Sequence, residues 1–180
     1  MTVCIEEKYR NMFECLKVVY DDKENYGYKE ALTYVFYDKE REKLVTTNGK
    51  SMLFYVVTPE LKEFLSQFEN PFFRYERGYL TDYKLDKDFV SWWRVVPSNP
   101  ERLISETEIK YNSLIFRKGD KDIHYFNYAY AMKQGIYNFK YFKKLDIRFD
   151  KVKHYKSGDC IICLFENKLA TFLIVNIREA

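Results

Sequence analysis

The residues that could bind a metal or catalyse a reaction are few and scattered in this sequence. Cys160 and Cys163 have the spacing of a zinc-binding pair, but they lie in an apolar, β-branched run, where alternate residues of a strand point to opposite faces. His124 and His154 are far apart and have no carboxylates at ligand spacing, so each is interpreted as a surface or hydrogen-bonded side chain. We therefore expect reduced, buried thiols and no metal, cofactor or catalytic residue.

The motifs of the common enzyme classes are missing as well. The six glycines are scattered, and the sequence contains neither a G-x-G-x-x-G loop nor a Walker loop. No G-x-S-x-G elbow or cysteine–histidine signature occurs. Paired carboxylates such as Asp82 and Asp86 are found in any charged chain of this size. The sequence therefore favours a folded protein that binds a macromolecule and is not an enzyme.

Positive charge is concentrated in the second half of the chain. Residues 1–100 hold 15 Lys and Arg against 17 Asp and Glu, whereas residues 101–180 hold 15 against 10. The segment 133–156 alone has a net charge of +6. Such a segment can attract a polyanion, and the simpler interpretation is a solvated face of an ordinary domain.

Hydrophobic periodicity predicts the elements of the first half. Apolar residues recur at helical spacing from Tyr9 to Tyr20, which predicts a helix that buries Tyr9, Met12, Phe13, Leu16 and Tyr20. Residues 31–37, 43–47 and 52–57 are predicted strands of a meander, with a turn at 48–49 in which both residues need positive φ. A short helix follows from 58 to about 68, and 72–85 and 89–96 alternate like strands.

The second half is predicted to repeat this arrangement. The Pro-Ser-Asn-Pro run at 97–100 is the candidate boundary, which gives the regions 1–97 and 98–180. Residues 111–116 and 123–126 are a predicted hairpin, and a helix is expected from 127 to about 144. Residues 145–149, 159–165 and 169–175 are predicted strands. The pattern is typical of the α+β class, here as two halves that each combine a helix with an antiparallel meander.

Four segments, in order down the chain, resemble bacterial sliding clamps, the β subunits that form the processivity ring of replicative DNA polymerase. Residues 44–53 resemble the clamp strand and turn with the sequence Thr-Asp-Gly-His-Arg-Leu, and 85–97 resemble Gly-x-Phe-Pro-Asp-Tyr-x-Arg-Val-Ile-Pro. Residues 126–130 resemble the Phe-Asn-x-x-Tyr that opens a channel-lining helix, and 172–178 resemble the closing strand and tail. The turn departs from the family at Asn48, Lys50 and Ser51, and Val90 and Asn176 stand where clamps have proline.

The resemblance implies a DNA-clamp-like fold and a role beside duplex DNA in replication. Clamps hold DNA by its phosphates without reading bases, which requires cations on a helix. Aromatic residues at 137–142 could instead stack single-stranded bases or pack in the core. Because family rings contain six domains, a chain of this length would have to form a homo-oligomer. The candidate DNA-binding residues are Lys133, Lys140, Lys143, Lys144 and Arg148.

The sequence leaves two function hypotheses open. The first is a non-enzymatic, clamp-like protein, encoded by a phage or mobile element, that contacts duplex DNA or docks on replication partners. The alternative is a clamp-mimicking inhibitor or decoy that binds a host replication or defence protein. No secretory signal or apolar stretch of about 20 residues occurs, so a cytoplasmic protein without a membrane partner is expected. The candidate partner-binding residues are Thr47, Asn48, Gly49, Lys50, Ile174, Asn176, Ile177 and Arg178.

Overall fold

Most of the described strands belong to one antiparallel sheet. The computed structural model describes residues 1–21, 30–109, 111–117, 122–126, 145–158 and 160–177. Within these ranges ten strands pair in the order β1-β6-β5-β2-β3-β4-β12-β11-β10-β7, and β8 pairs with β9 in a separate hairpin. The strands are β1 (Thr2–Cys4), β2 (Val35–Asp38), β3 (Lys43–Thr47), β4 (Ser51–Val56), β5 (Phe72–Glu76), β6 (Tyr79–Tyr83), β7 (Leu103–Glu108), β8 (Tyr111–Arg117), β9 (Asp122–Phe126), β10 (Lys151–Ser157), β11 (Cys160–Glu166) and β12 (Ala170–Ile177).

The first helix, α1 (Glu7–Tyr20), covers one face of this sheet, as its periodicity predicts. Phe13 and Leu16 are buried against the sheet, and α1 contacts β2, β3, β4 and β5. The hydroxyl of Tyr20 donates a hydrogen bond to the carbonyl of Tyr75 and accepts one from the N–H of the same residue. Both hydrogen bonds are 3.1 Å long. These bonds tie the last turn of the helix to β5.

The second helix, α2 (Pro59–Leu65), begins where the sequence predicts. The Thr58 hydroxyl accepts a hydrogen bond from the N–H of Leu61 at 3.3 Å, and Pro59 occupies the first turn, where its missing N–H costs nothing. Leu61 and Leu65 are buried in the same core as α1. No helix in the described ranges is long and apolar enough to cross a membrane.

The sheet has two distinct faces because side chains alternate along each strand. We call the face under α1 and α2 the helix face; Leu53 and Tyr55 of β4 lie there. The opposite face receives residues 84–97, which connect β6 to the rest of the chain and which we call the strap. Met52 and Phe54 lie on this strap face, where they pack with Trp92. A single strand thus contributes to two separate hydrophobic cores.

The two predicted regions meet inside the sheet, where β4 pairs with β12. The register runs from Ala170 opposite Tyr55 to Ile174 opposite Ser51. The α+β class and the antiparallel pairing are as predicted. The repetition of a helix and a meander in each half stays a prediction, because the expected second helix at 127–144 lies outside the described residues.

Three strand predictions need correction. Residues 31–33 of the predicted strand 31–37 belong to a 3₁₀ turn, Glu30–Thr33, and β2 begins only at Val35. Residues 145–149 are not a strand; Leu145 and Phe149 instead fill the helix-face core. Residues 89–96 form a loop with one 3₁₀ turn at Trp92–Arg94, because their apolar side chains pack onto the strap face and do not join a ladder. Strands β7 and β10 were not predicted, since charged residues interrupt their apolar alternation.

Candidate functional site

The strap is fixed to the sheet by one buried tryptophan. Trp92 is only 5% exposed, and its ring centre lies 5.1 Å from that of Phe54. Its indole N–H donates to a carboxylate oxygen of Asp38 at 2.8 Å. A buried indole N–H needs such an acceptor, so the bond fixes the depth and the orientation of the strap.

Asp38 joins the strap to the β2–β3 loop. Its carboxylate, at the end of β2, accepts the backbone N–H of Arg41 at 3.1 Å and the Arg41 guanidinium at 3.3 Å. The same guanidinium stacks over the ring of Trp93, 3.7 Å from its centre. Because the carboxylate is buried, these bonds compensate its lost hydration.

A tight loop between β3 and β4 faces the strap. The Asn48 side chain is 1% exposed and accepts the N–H groups of Lys50 and Ser51, at 3.0 and 2.8 Å. The Thr47 hydroxyl accepts the N–H of Gly49 at 3.1 Å and donates to the carbonyl of Ser51 at 2.7 Å. The loop therefore has its shape before any ligand binds.

This loop is not the predicted turn with two positive φ angles. Gly49 has φ of 90°, but Asn48 is not among the described non-glycine residues with positive φ. The Asn48 side chain closes the turn instead, as an acceptor for the following N–H groups. The dipeptide thus identified the place of the turn but not its type.

The loop, the strap and strands β10–β12 enclose a concavity of about 520 Å³, which we call the strap groove. Its floor consists of the strap-face side chains of Met52, Ile162, Leu173 and Val175. Residues 90–97 of the strap, including Val95, supply one wall, and Thr47, Gly49 and Lys50 lie at one end. A concave apolar site of this size suits a ligand with several apolar groups.

Every charged side chain in the described lining of the strap groove is a cation. Lys50 comes from the β3–β4 loop, Arg94 from the strap, Arg102 from the 3₁₀ turn before β7, and Lys156 from β10. All four are exposed, and no carboxylate is among the described residues of the lining. The groove therefore combines an apolar floor with a positively charged rim.

A second concavity, of about 590 Å³, lies on the other side of the strap. We call it the β2–β3 loop cavity, since the loop 39–41 lines it together with the strap and residues 70–72. Here charges of both signs are present. Its cations are Lys39, Arg41, Lys84 and Lys87, and its carboxylates are Asp38, Glu40 and Asp88.

The structure brings together part of the predicted partner-binding set. Thr47, Gly49 and Lys50 line the strap groove beside β12, whereas Asn48 is buried beneath the loop. Ile174 needs correction: it is 4% exposed and lies in the helix-face core, so β12 presents Leu173 and Val175 to the groove.

The remaining predicted site residues do not line the strap groove or lie outside the described residues. The backbones of Asn176 and Ile177 pair with Ile161 and Cys160, and Arg178 lies outside the described residues. Among the predicted DNA-binding residues, Arg148 is exposed, and its carbonyl accepts a hydrogen bond from Asn167 at 2.7 Å. Lys133, Lys140, Lys143 and Lys144 lie outside the described residues.

Sequence reasoning missed several residues of the groove. Arg94, Val95 and Arg102 were not candidates, and Lys156 was seen only as part of the basic segment. The two tryptophans in the strap were a usable signal, because a buried tryptophan needs an acceptor and so marks an anchored segment. Cys160 lines the groove, while Cys163 is buried in the helix-face core, which confirms that these two cysteines face apart.

Comparison with known proteins gives a structural similarity and no sequence match. No protein-family model matches the sequence, and no curated protein matches it. A solved structure of DNA polymerase III subunit beta from Borrelia burgdorferi, in complex with a natural product, has 15% sequence identity and a TM-score of 0.46. The match covers 100% of this chain and 63% of that one, so this chain spans less than two thirds of its length. The comparisons give no support to a phage origin or to an inhibitor.

Proposed function

We propose that this chain is a non-enzymatic, clamp-like protein of DNA replication that binds a short segment of a partner protein in the strap groove. The supporting observation is the convergence of Thr47, Gly49, Lys50 and the strap-face residues of β12 on one apolar concavity. Thr47, Gly49 and Lys50 belong to the turn that the resemblance to clamps suggested as a partner-binding surface, and Leu173 and Val175 belong to β12, the strand that the resemblance suggested beside it.

The groove has the properties of a preformed binding site. Its loop is held by the Thr47 and Asn48 hydrogen bonds, and its strap wall is held by the bond from Trp92 to Asp38. A site that is rigid before binding loses little conformational entropy when a ligand enters. A flexible segment of a partner could therefore bind with few contacts.

Peptide selection tests the proposal. Short random peptides displayed on phage would be selected against the immobilised full chain, and the affinity of recovered peptides measured by fluorescence anisotropy. Val95→Asp places a charge in the groove at a residue that is 52% exposed, so the fold should persist. We expect this variant to lose at least about tenfold in affinity, as for an apolar contact at the centre of an interface.

Val56→Asp is the matched control. Val56 is 37% exposed and lines neither concavity, so the same substitution there should leave peptide affinity within about twofold. Recovery of no peptide, or equal losses in both variants, would rule out the strap groove as the binding site.

Contact with duplex DNA is a separate part of the proposal. It depends on Lys133, Lys140, Lys143 and Lys144, and on exposed Arg148. Two further cations of the basic segment already have carboxylate partners: Lys151 pairs with Glu106 at 3.2 Å, and Lys153 pairs with Glu166 at 2.9 Å.

A salt titration tests this contact. Replacing Lys140, Lys143 and Lys144 by Ala should lower the salt dependence of duplex binding by about 2 to 3 units, at roughly 0.9 per phosphate contact. An unchanged slope, or no duplex binding at low salt, would mean that the segment is a solvated face. Light scattering with and without the duplex would test the homo-oligomer that the resemblance to clamps implies.

A further inference from the structure

Three cations of the strap groove, Arg94, Arg102 and Lys156, differ from several other cations in having no carboxylate partner among the described residues. Elsewhere Lys17 lies 2.7 Å from Glu76 and Lys153 lies 2.9 Å from Glu166. The side chains of Arg94, Arg102 and Lys156 have no ion pair or hydrogen bond within the described ranges. Three cations from three separate elements thus surround an apolar floor without a neutralising carboxylate.

Placing these cations around one concavity has an electrostatic cost. Like charges at a shared rim repel one another, and a concave site with apolar walls concentrates their field. A ligand that brings carboxylates to the rim would relieve this repulsion and add charge-assisted hydrogen bonds, while its apolar side chains cover the floor.

The alternative polyanion, a nucleic acid, fits the same groove less well. Single-stranded nucleic acids bind where exposed aromatic rings stack on bases. The one aromatic residue of the groove lining is Trp92, whose ring is buried against Phe54 within the part of the chain that the structure describes. The floor instead consists of aliphatic and thioether side chains, which suit leucine, isoleucine or phenylalanine side chains of a protein.

We infer that the strap groove takes an acidic segment of a partner protein, with apolar side chains on its floor and aspartate or glutamate at its rim. This inference rests on the proposed function, because it names the chemistry of the partner for the same groove. Arg94, Arg102 and Lys156 are then specificity-determining residues: they select the acidic segment from among apolar ones.

Three synthetic peptide pools test the inference. All have Leu, Ile or Phe at every second position; the remaining positions are Asp or Glu in the acidic pool, Asn or Gln in the neutral pool, and Lys or Arg in the basic pool. Fluorescence anisotropy with the full chain should show the acidic pool binding about tenfold more tightly than the neutral pool at low salt. This advantage should shrink as salt is added.

The decisive variant is R94Q/R102Q/K156Q, which should abolish the advantage of the acidic pool over the neutral pool. The matched control is K39Q/K84Q/K87Q, which removes the same charge from exposed cations of the β2–β3 loop cavity. This control should keep the full advantage, because a general effect of net charge would lower it in both variants.

The outcomes separate the inference from the proposed function. Equal binding of the acidic and neutral pools, with both lost in Val95→Asp, would overturn the acidic partner and leave the groove as a binding site. If no pool binds in a way that depends on Val95, the proposed function fails, and the inference fails with it. Oligothymidylate that binds more tightly than the acidic pool and is lost in Val95→Asp would replace the protein segment by a nucleic acid.

Discussion

The two concavities beside the strap share a wall and differ in the signs of the charges that line them. In the β2–β3 loop cavity, Arg41 bonds to the buried carboxylate of Asp38 and stacks on Trp93, so its charge is used within the fold. In the strap groove, Arg94, Arg102 and Lys156 face an apolar floor without a carboxylate among the described lining residues. The first arrangement stabilises the protein, and the second leaves charge available to a ligand.

The comparison predicts where substitutions affect stability and where they affect binding. A charge that is already paired inside the fold contributes to the free energy of unfolding, whereas an exposed cation without a partner contributes little.

Asp38→Ala should cause the largest loss. It leaves the Trp92 indole N–H buried without an acceptor and removes the buried partner of Arg41, which together should cost about 3 kcal/mol of unfolding free energy. Urea unfolding followed by tryptophan fluorescence would measure the change. Asp88→Ala, at an exposed carboxylate of the same cavity, is the control and should remain within about 0.5 kcal/mol. Similar values for both would show that Asp38 does not anchor the strap.

Trp92→Phe should have an intermediate effect of about 1 to 2 kcal/mol. The phenyl ring keeps the contact with Phe54 but cannot donate to Asp38, and it leaves part of the indole volume empty. Because Trp92 also forms the groove wall, peptide affinity should fall along with stability. A stability loss without any change in peptide affinity would separate the strap from the binding site.

Arg41→Ala and Arg94→Ala form a matched pair across the strap. Arg41→Ala removes an ion pair to a buried carboxylate and a cation–π contact, so we expect a loss of about 1 kcal/mol. Arg94→Ala should change stability by less than about 0.5 kcal/mol and should act on peptide binding instead. If the two variants exchanged these effects, the contrast between the concavities would be incorrect.

Moderate acidification should lower the free energy of unfolding through a residue outside both concavities. His154 is buried in β10, with its Nδ1 2.9 Å from the Ser105 hydroxyl, and burial lowers the pKa of this imidazole. An unfolded histidine has a pKa of about 6.5, so on acidification the unfolded chain binds the proton first. Stability should therefore be constant above about pH 7 and fall as the pH drops through 6.5. His154→Asn should flatten this part of the profile in urea unfolding; an unchanged profile would point to another group.

Local patterns predicted the elements that depend on neighbouring residues. The 3.6-residue period placed α1, Thr58 and Pro59 placed α2, and short β-branched and aromatic runs placed β2, β3 and β4. Strands β7 and β10 were missed because charged residues such as Lys151 and Lys153 are typical of loops. Their partners on the neighbouring strands, Glu106 and Glu166, are identified only by the structure. The strap was predicted as a strand because its apolar residues alternate, although they pack on a sheet face.

The sequence indicated one end of the candidate site but not the residues that enclose it. The β3–β4 turn and the last strand were candidates, and they do lie side by side. Ile174 was predicted to face a partner, but it lies on the helix face, and its neighbours Leu173 and Val175 face the groove. Which alternate residues of a strand face a given side depends on how the strand pairs in the sheet. The rim cations Arg94, Arg102 and Lys156 are distant in sequence, and no local pattern relates them.

The sequence by itself determined the helix faces, the caps, the position of the Asn48-Gly49 turn and the opposite directions of Cys160 and Cys163. These features follow from steric and hydrogen-bonding preferences that act over a few residues. Only the tertiary structure decided that β4 pairs with β12, that the strap crosses the face opposite the helices, and that three cations from separate elements meet above one apolar floor. Those choices depend on the free energy of contacts between distant segments, which has no signature in any single segment of the chain.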